Sequence, residues 1–266
     1  MQKNRCVILI PVYKQIPSVD EMASLLQLEH ILGCWEKRFV CPESLDMSSY
    51  DAITNKPFLK ERFADCFFKG IDGYNALMRE NAFYARYSAY EYMLIYQLDA
   101  WVFKDELEYW CDQGYDYIGA PWFEKFGSYE EGKRLWKCGN GGLSLRKVRK
   151  FIECTTPDAP VYTIRGIISH ANRHVLRNII RYFRYPNNMG WLIQHLAGSW
   201  EDFFFCGDLS ETHHALNVPK PKIAAHFSFE RSPSYLFSLT GKELPFGCHA
   251  WRKYDFDDFW SKYISV

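Results

Sequence analysis

The sequence lacks the features that mark several large protein classes. No apolar stretch approaches the roughly 20 residues that a membrane-spanning helix needs, and residues 1–5 are not followed by a signal peptide's apolar core and cleavage site. The 32 basic residues are balanced by 32 acidic ones, which argues against a dedicated nucleic-acid binder. The nine cysteines include no CxxC pair, so we expect free thiols in a reducing, cytoplasmic compartment.

Several signature motifs are absent as well. The GxxxxGK[ST] phosphate loop does not occur, and the one glycine cluster lies mid-chain, without the spacing of a dinucleotide fingerprint. Residues 10–20 contain no glycine, which argues against the glycine-rich loop of a nucleotidyltransferase. The pairs His213-His214 and His170/His174 have no third ligand at a recognisable spacing, so we expect no zinc site.

What is present is a chain of 266 residues with 48% hydrophobic residues, enough for one globular domain over residues 1–266. Aromatic residues are abundant, with 18 Tyr, 20 Phe and 9 Trp. Two interpretations stay open: a Phe-rich core, or surfaces on which sugar rings stack.

The hydrophobic pattern predicts an α/β fold. Arg5–Tyr13 is a continuous apolar run typical of a buried parallel strand that ends at Pro11, and Ser18 or Asp20 can cap the helix that follows. Further strands are predicted at Lys37–Cys41, in the apolar segment Arg62–Phe68, at Tyr92–Phe103, at Asp116–Ala120 and within Cys138–Leu145. Helices are predicted at about 72–91, 105–113 and 146–153, and at Asp208–Leu216.

Asp99 lies near the end of the most apolar of these strands. Ligands of open α/β sheets bind at the carboxyl ends of the strands, and Mg²⁺ or Mn²⁺ bound to a diphosphate takes carboxylate ligands. The alternative role for Asp99 is to cap a turn.

The segment Gly139-Asn140-Gly141-Gly142 precedes an apolar run. Its glycines allow a backbone to approach a ligand closely, and its N–H groups could bind a sugar hydroxyl or a phosphate. A plain tight turn is the other interpretation.

Two further polar sites lie near the end of the chain. Glu201-Asp202 places adjacent carboxylates against an aromatic cluster, where one could act as a general base, or both could complement a helix N-terminus. His249 could bind a metal ion or be a hydrogen-bonded core residue.

Residues 159–200 contain no acidic residue and carry Arg165, Arg173, Arg177, Arg181 and Arg184 interleaved with apolar residues. This composition predicts a basic amphipathic helical insertion. Residues 164–184 could contact a membrane surface, form a lid over an acceptor, or be a solvated helix packed on the domain.

In this order, the motifs resemble those of GT-A glycosyltransferases, which have a Rossmann-like nucleotide-sugar-binding fold with a mixed sheet flanked by helices. Cys6–Tyr13 is similar to the family's first strand, Leu94–Asp99 to its DXD strand, Gly141–Ser144 to the GG-L-S stretch of inverting galactosyl- and N-acetylglucosaminyltransferases, and Trp200–Asp202 to their ED motif. The chain also looks like a family of bacterial (Bacteroidetes-type) proteins from polysaccharide-synthesis loci.

The resemblance implies transfer of a hexose from a nucleoside-diphosphate sugar, a UDP-sugar by expectation, to a glycan or lipid-linked acceptor with inversion. It implies Asp202 as general base and Glu201 as the residue that positions the sugar or the base. Donor binding is implied for a larger set: Pro11, Tyr13, Asp99, Trp122, Asn140, Gly141 and Gly142, together with the stretch Asp116–Trp122.

The same resemblance implies a divalent ion, Mn²⁺ or Mg²⁺, on Asp99 and His249. One position departs from the pattern, because Trp101 stands where the second Asp of DXD would be. Asp99 and His249 would then suffice together with the diphosphate, or the donor would bind without a metal.

Overall fold

The structure of the chain is a computed structural model that describes residues 4–54, 56–124, 134–163, 167, 175–195 and 200–266. The strands are β1 (Asn4–Pro11), β2 (Glu36–Pro42), β3 (Leu59–Phe63), β4 (Tyr90–Tyr96), β5 (Ala100–Val102), β6 (Tyr117–Ile118), β7 (Pro121–Phe123), β8 (Leu135–Cys138), β9 (Leu143–Lys147), β10 (Ser228–Phe229) and β11 (Gly247–His249). The helices are α1 (Val19–Ile31), α2 (Ser48–Asp51), α3 (Gly70–Leu77), α4 (Asn81–Ala85), α5 (Leu107–Asp112), α6 (Val148–Thr155), α7 (Val175–Arg184), α8 (Met189–His195), α9 (Glu201–Cys206), α10 (Pro221–Phe227) and α11 (Pro233–Leu239).

A six-stranded sheet in the order β3-β2-β1-β4-β9-β6 forms the centre of the molecule. Strands β3, β2, β1 and β4 are parallel, and β9 runs antiparallel to both β4 and β6. Apolar residues of α1, α4 and α6 share one hydrophobic cluster with these strands. The predicted α/β class, with a mixed central sheet flanked by helices, is confirmed.

The first βα unit forms as its sequence dictates. Val7–Ile10 of β1 are fully buried, as expected of a parallel strand covered on both faces. Ser18 caps α1 through a capping box, in which its side chain accepts from the Glu21 N–H while the Glu21 carboxylate accepts from the Ser18 N–H.

The strand order creates a crevice at one edge of the sheet. Strands β2 and β4 lie on opposite sides of β1 and run parallel to it, and the connections that leave β1 and β4 at their carboxyl ends lead away from each other, to β2 and to β5. Ligands of open α/β sheets bind in such a crevice, outside the carboxyl ends of the strands. Here it lies after Pro11 and Tyr96.

The predicted strand Tyr92–Phe103 is in fact two strands. Strand β4 ends at Tyr96, where the Gln97 N–H donates to the Gly142 carbonyl at 2.8 Å. A turn then leads to β5, which leaves the central sheet and pairs antiparallel with β11 in a second sheet of order β10-β11-β5. Asp99 therefore lies in the turn between two strands.

Other boundaries also differ from the predictions. The segment Arg62–Phe68 divides into the end of β3 and a 3₁₀ turn, and the helical region 72–91 divides into α3 and α4. The predicted helix Asp208–Leu216 is a single 3₁₀ turn at Asp208–Glu211. The predicted basic helix starts at Val148, so Arg146 belongs to β9 instead.

Most of the aromatic excess belongs to the core. Large rings such as those of Tyr84, Tyr87, Tyr92 and Tyr96 are fully buried in the main cluster, and Trp251 and Trp260 in a second one beneath β5 and β11. The Phe-rich interpretation therefore accounts for most rings, and a smaller set faces the crevice described below.

The basic segment is described in part. Val175–Arg184 and Met189–His195 are helical, whereas Ile164, Arg165, Ile168, His170, Arg173 and His174 lie outside the described residues. Over the portion of the chain that the structure describes, every helix is too short or too polar to cross a membrane.

Candidate active site

A cavity of about 740 Å³ opens at the carboxyl ends of β1 and β4. Its walls include all the residues predicted from the sequence to bind the donor, to hold a metal or to act in catalysis: Pro11, Tyr13, Asp99, Trp122, Asn140, Gly141, Gly142, Glu201, Asp202 and His249. These residues come from six separate parts of the chain. Of the stretch Asp116–Trp122, Pro121 and Trp122 line the cavity, while Asp116 accepts from the Asn217 N–H at 2.8 Å.

The loop Gly139–Gly142 lies at the centre of the cavity because β9, which it precedes, pairs with β4. Glycine is needed at three positions of this loop because neighbouring side chains occupy the space that a Cβ atom would fill. A Cβ atom on Gly139 would overlap the Trp122 ring, one on Gly141 would overlap the Glu201 carboxylate, and one on Gly142 would overlap the His249 imidazole. Three predicted site residues therefore pack directly against the loop backbone: Trp122, Glu201 and His249.

The loop backbone also makes contacts within the protein. The Gly141 N–H, predicted to be available to a ligand, donates to Asp202 Oδ2 at 3.2 Å. Asn140 adopts a φ of 67°, a left-handed conformation that asparagine tolerates better than most residues. The loop thus positions protein side chains, while the contact of its backbone with a ligand stays a prediction.

Glu201 forms a buried ion pair that the sequence did not reveal. Arg146 of β9 has no exposed surface, and its Nη2 donates to Glu201 Oε1 at 2.7 Å. The Arg146 guanidinium also donates to the Ser144 and Tyr84 hydroxyls, each at 3.0 Å. Burying a charge is costly unless it is paired and hydrogen-bonded, and Arg146 is both.

The second carboxylate oxygen of Glu201 is different. Oε2 is buried and accepts no hydrogen bond from the described residues, although Glu201 lines the cavity. Such an acceptor is costly unless a ligand or water donates to it. Glu201 therefore combines a structural bond through Oε1 with a second, buried oxygen that no described residue engages.

Asp202 follows at the start of α9. Its Oδ1 accepts from the Phe203 N–H at 2.8 Å, while Oδ2 accepts from Gly141. Burial, and then the nearby charge of Glu201, raise the pKa of Asp202 to about 7. A carboxylate with a pKa near neutrality is suited to accept a proton during a reaction at physiological pH.

His249, at the end of β11, lies between two carboxylates. Its Nε2 is 3.1 Å from Asp99 Oδ1, and its Nδ1 is 3.4 Å from Glu230 Oε1. Burial opposes protonation of the ring, but the charges and hydrogen bonds of Asp99 and Glu230 outweigh burial and raise the pKa of His249 to about 10. Burial likewise opposes ionisation of Asp99, but the His249 charge prevails and lowers the pKa of Asp99.

Trp101 explains the missing second Asp of the DXD pattern. Its side chain packs in the second hydrophobic cluster against Trp251, with ring centroids 5.8 Å apart, and is absent from the cavity wall. A carboxylate at this position would face the core. The second carboxylate beside His249 is instead Glu230, which directly follows β10 and which sequence reasoning missed.

The side chains around His249 could supply only some of the ligands that a divalent ion needs. Asp99 and His249 meet, as predicted, and the Gln97 amide oxygen lies 3.3 Å from His249 Nε2. In the described ranges, however, no three His, Cys, Asp or Glu side chains are arranged to hold a metal ion. The two residues fit a site that diphosphate oxygens and water would complete.

Two cations at the cavity were also missed. Arg231 and Lys253 both line it and lie against the Tyr254 ring, at 4.8 Å and 5.0 Å from its centroid. Arg231 donates to the Tyr254 hydroxyl at 3.0 Å. In the sequence each is an ordinary surface-type charge, and only the fold brings them to one cavity.

The model of the family described as Protein of unknown function (DUF5672) matches residues 58–249. The chain belongs to this family. The matched span contains Asp99, the loop Gly139–Gly142, Glu201-Asp202 and, as its last residue, His249. Membership of DUF5672 thus covers most of the cavity wall, while Pro11 and Tyr13 precede the match. A search of curated proteins for similar sequences found no match.

Solved structures with partial likeness to this DUF5672 member include glycosyltransferases. Galactosyltransferase LgtC, in complex with donor and acceptor sugar analogs, has a TM-score of 0.46 and 11% identity over 91% of this chain and 86% of LgtC. Core-mannan synthase A (CmsA/Ktr4) from Aspergillus fumigatus, in its Mn/GDP form, has a TM-score of 0.40 and 10% identity over 76% of this chain and 71% of its own. The mannosyltransferase Ktr4p from S. cerevisiae, in complex with GDP, has a TM-score of 0.33 and 15% identity, and the alignment covers 46% of this chain and 42% of Ktr4p.

Likeness at this level carries no argument about the role of this chain. The chain spans less than half the length of Ktr4p, and each identity is below the level at which residue roles transfer. The chemistry of the cavity is therefore argued from its own residues.

Proposed function

We propose that the chain is a glycosyltransferase that moves a sugar from a nucleoside-diphosphate sugar, a UDP-sugar in the first instance, to a hydroxyl of a glycan or lipid-linked acceptor in surface polysaccharide synthesis. One observation carries the proposal. The loop Gly139–Gly142 contacts the carboxylate pair Glu201-Asp202 and also His249, which pairs with Asp99. All of these side chains line one cavity at the switch point of an α/β sheet.

Asp202 is the proposed general base. The acceptor oxygen attacks the anomeric carbon, its proton passes to Asp202, and the bond from that carbon to the diphosphate oxygen breaks with its electron pair on the diphosphate. Because this is one displacement, the anomeric configuration inverts. The raised pKa of Asp202 supports the role, since the carboxylate binds a proton more readily than an exposed Asp does.

Glu201 is proposed to position the reacting sugar. Arg146 fixes one carboxylate oxygen, which leaves Oε2 at the cavity to accept from a sugar hydroxyl. The half-exposed Trp200 ring at the cavity wall offers a face on which a sugar ring can stack, and Trp122, which also lines the cavity, is proposed to border the donor.

Asp99 and His249 are proposed to hold a divalent ion, Mn²⁺ or Mg²⁺, which when bound would offset the charge of the leaving diphosphate. The protein also carries its own positive charge at this place, on Arg231, Lys253 and the protonated His249 ring. This charge supports the alternative in which the donor binds without a metal. Pro11, which ends β1, and Tyr13, which follows the strand, are proposed to border the nucleoside.

The test begins with calorimetry of UDP binding, with and without Mn²⁺. Binding that strengthens with Mn²⁺ supports the metal site, and metal-independent binding supports the cationic alternative. UDP release from a panel of UDP-sugars, with and without glycan acceptors, then tests transfer. Asp202→Asn should bind UDP but lose turnover, while Asp105→Asn, at an exposed position outside the cavity, should retain both.

Failure of UDP, GDP and other nucleotides to bind would contradict the proposal and favour a non-catalytic carbohydrate-binding protein. Release of pyrophosphate from a nucleoside triphosphate and a sugar phosphate would instead identify a nucleotidyltransferase.

A further inference from the structure

Helix α7, Val175–Arg184, has an unusual distribution of side chains. Its buried residue is polar, since Asn178 has no exposed surface and its amide donates to the Glu211 carbonyl at 3.4 Å. Its apolar residues are exposed: Val175 by 36%, Leu176 by 73%, Ile179 by 37%, Ile180 by 51% and Phe183 by 81%. A surface helix of a soluble domain normally has the opposite arrangement, with apolar residues toward the core.

The exposed apolar residues form one continuous stripe. Val175, Ile179 and Phe183 follow each other at intervals of four residues, and Leu176 and Ile180 lie beside them at the same interval. Isolated apolar residues on a surface are ordinary, whereas a contiguous patch marks a site of interaction.

Positive charge borders this stripe. The helix carries Arg177, Arg181 and Arg184 and no acidic residue. Arg177 pairs with Glu211 and Arg181 donates to the Tyr162 hydroxyl at 3.5 Å, while Arg184 lies 5.6 Å from the Tyr185 ring centroid. Among the described residues, one carboxylate, that of Glu211, pairs with the arginines of this helix.

We propose that α7 docks the protein on the surface of a bilayer that contains anionic phospholipids. At about 1.5 Å per residue, ten residues are too short to cross a bilayer, so the helix would lie in the interface with its apolar stripe among the acyl chains and its arginines at the headgroups. A second copy of this helix is a poorer partner, because it would bring arginine next to arginine.

The position of α7 connects this surface with the cavity. Glu211, which pairs with Arg177, belongs to the 3₁₀ turn Asp208–Glu211 that almost directly follows α9, the helix that begins with Glu201-Asp202. A protein docked through α7 would hold its cavity close to acceptors carried by lipids. The docking itself does not depend on the proposed glycosyltransfer.

The experiment is flotation of the purified chain with vesicles of phosphatidylcholine alone and of phosphatidylcholine with phosphatidylglycerol. We expect binding to the anionic vesicles that weakens with salt. Ile180→Ser with Phe183→Ser should abolish flotation, whereas the matched control Leu26→Ser, on α1 and 49% exposed, should float like the wild type. Arg181→Gln with Arg184→Gln should weaken anionic binding about thirtyfold.

Two outcomes would overturn the proposal: no flotation with anionic vesicles, or flotation that the α7 variants leave unchanged. Light scattering that shows a dimer dissolved by Ile180→Ser with Phe183→Ser would assign the stripe to a second copy instead. UDP binding by the same α7 variants separates the docking proposal from the proposed glycosyltransfer. The α7 substitutions should leave UDP binding unchanged, whatever they do to flotation.

Discussion

The buried pair Arg146–Glu201 offers the sharpest separation of stability from function. Arg146→Met leaves the Glu201 carboxylate buried without its cation, and Glu201→Leu leaves the guanidinium without its anion. Removing one partner of a buried ion pair costs about 3–5 kcal/mol. In a domain of this size each 1 kcal/mol lowers the melting temperature by about 2–4 °C, so each single variant should melt roughly 6–20 °C below the wild type.

The double variant Arg146→Met/Glu201→Leu should recover most of this loss, since no buried charge remains and the two apolar side chains fill a similar volume. Its turnover should not recover, because the Glu201 carboxylate, proposed to position the reacting sugar, is gone from the cavity wall. Thermal melts of the wild type, the two single variants and the double variant form a double-mutant cycle. UDP-sugar turnover is measured on the same four samples. A double variant that melts as low as the worse single variant would refute the ion-pair reasoning. A double variant with full turnover would refute the role given to Glu201.

Three further predictions concern the cavity. Because protonation of Asp202 removes the base, turnover should rise with pH through about 7 and at pH 6 be roughly one tenth of its plateau; a pH–rate profile checks this. Because the folded state raises the pKa of this carboxyl from 3.8 to about 7, the wild type should lose stability as the pH rises from about 4 to about 7, and melting temperatures across this range should fall less for Asp202→Asn, which should be inactive. Gly142→Ala should displace His249 and weaken Mn²⁺-dependent UDP binding about tenfold or more, as measured by calorimetry, whereas Gly114→Ala should not.

Specific results would contradict the predictions for the pH profile and for Gly142. A pH profile that stays flat from 5 to 9 would remove Asp202 as the base. Gly114 lies outside the cavity at a φ of +72°, so Gly114→Ala costs backbone strain without touching His249. Equal loss of UDP binding in both glycine variants would mean that general destabilisation, and not the position of His249, explains the result.

The sequence alone predicted the features that depend on neighbours along the chain. The apolar run before Pro11 specified β1, and Ser18 with Glu21 specified the start of α1. The same local reasoning marked Asp99 and Glu201-Asp202 as carboxylates beside apolar segments, and the structure places them in one cavity.

Local reasoning failed where partners are distant in the chain. Arg146 looked like the first residue of a basic helix, because nothing near it in the sequence announces Glu201 fifty-five positions later. Glu230 and Arg231 carry no motif, yet the pairing of β10 with β11 brings them beside His249 and the cavity.

The strand Tyr92–Phe103 shows the limit most clearly. Its hydrophobic pattern is continuous, so the sequence determines only that the segment is extended and buried. The hydrogen bond from Gln97 to Gly142, and the pairing of β5 with β11, break it after Tyr96 and turn Asp99 toward His249. Sequence patterns, together with the resemblance to a known family, thus predicted the fold class and the candidate residues. Tertiary pairing decided which of them meet, because hydrogen bonds and ion pairs between distant segments form only when the sheet brings those segments together.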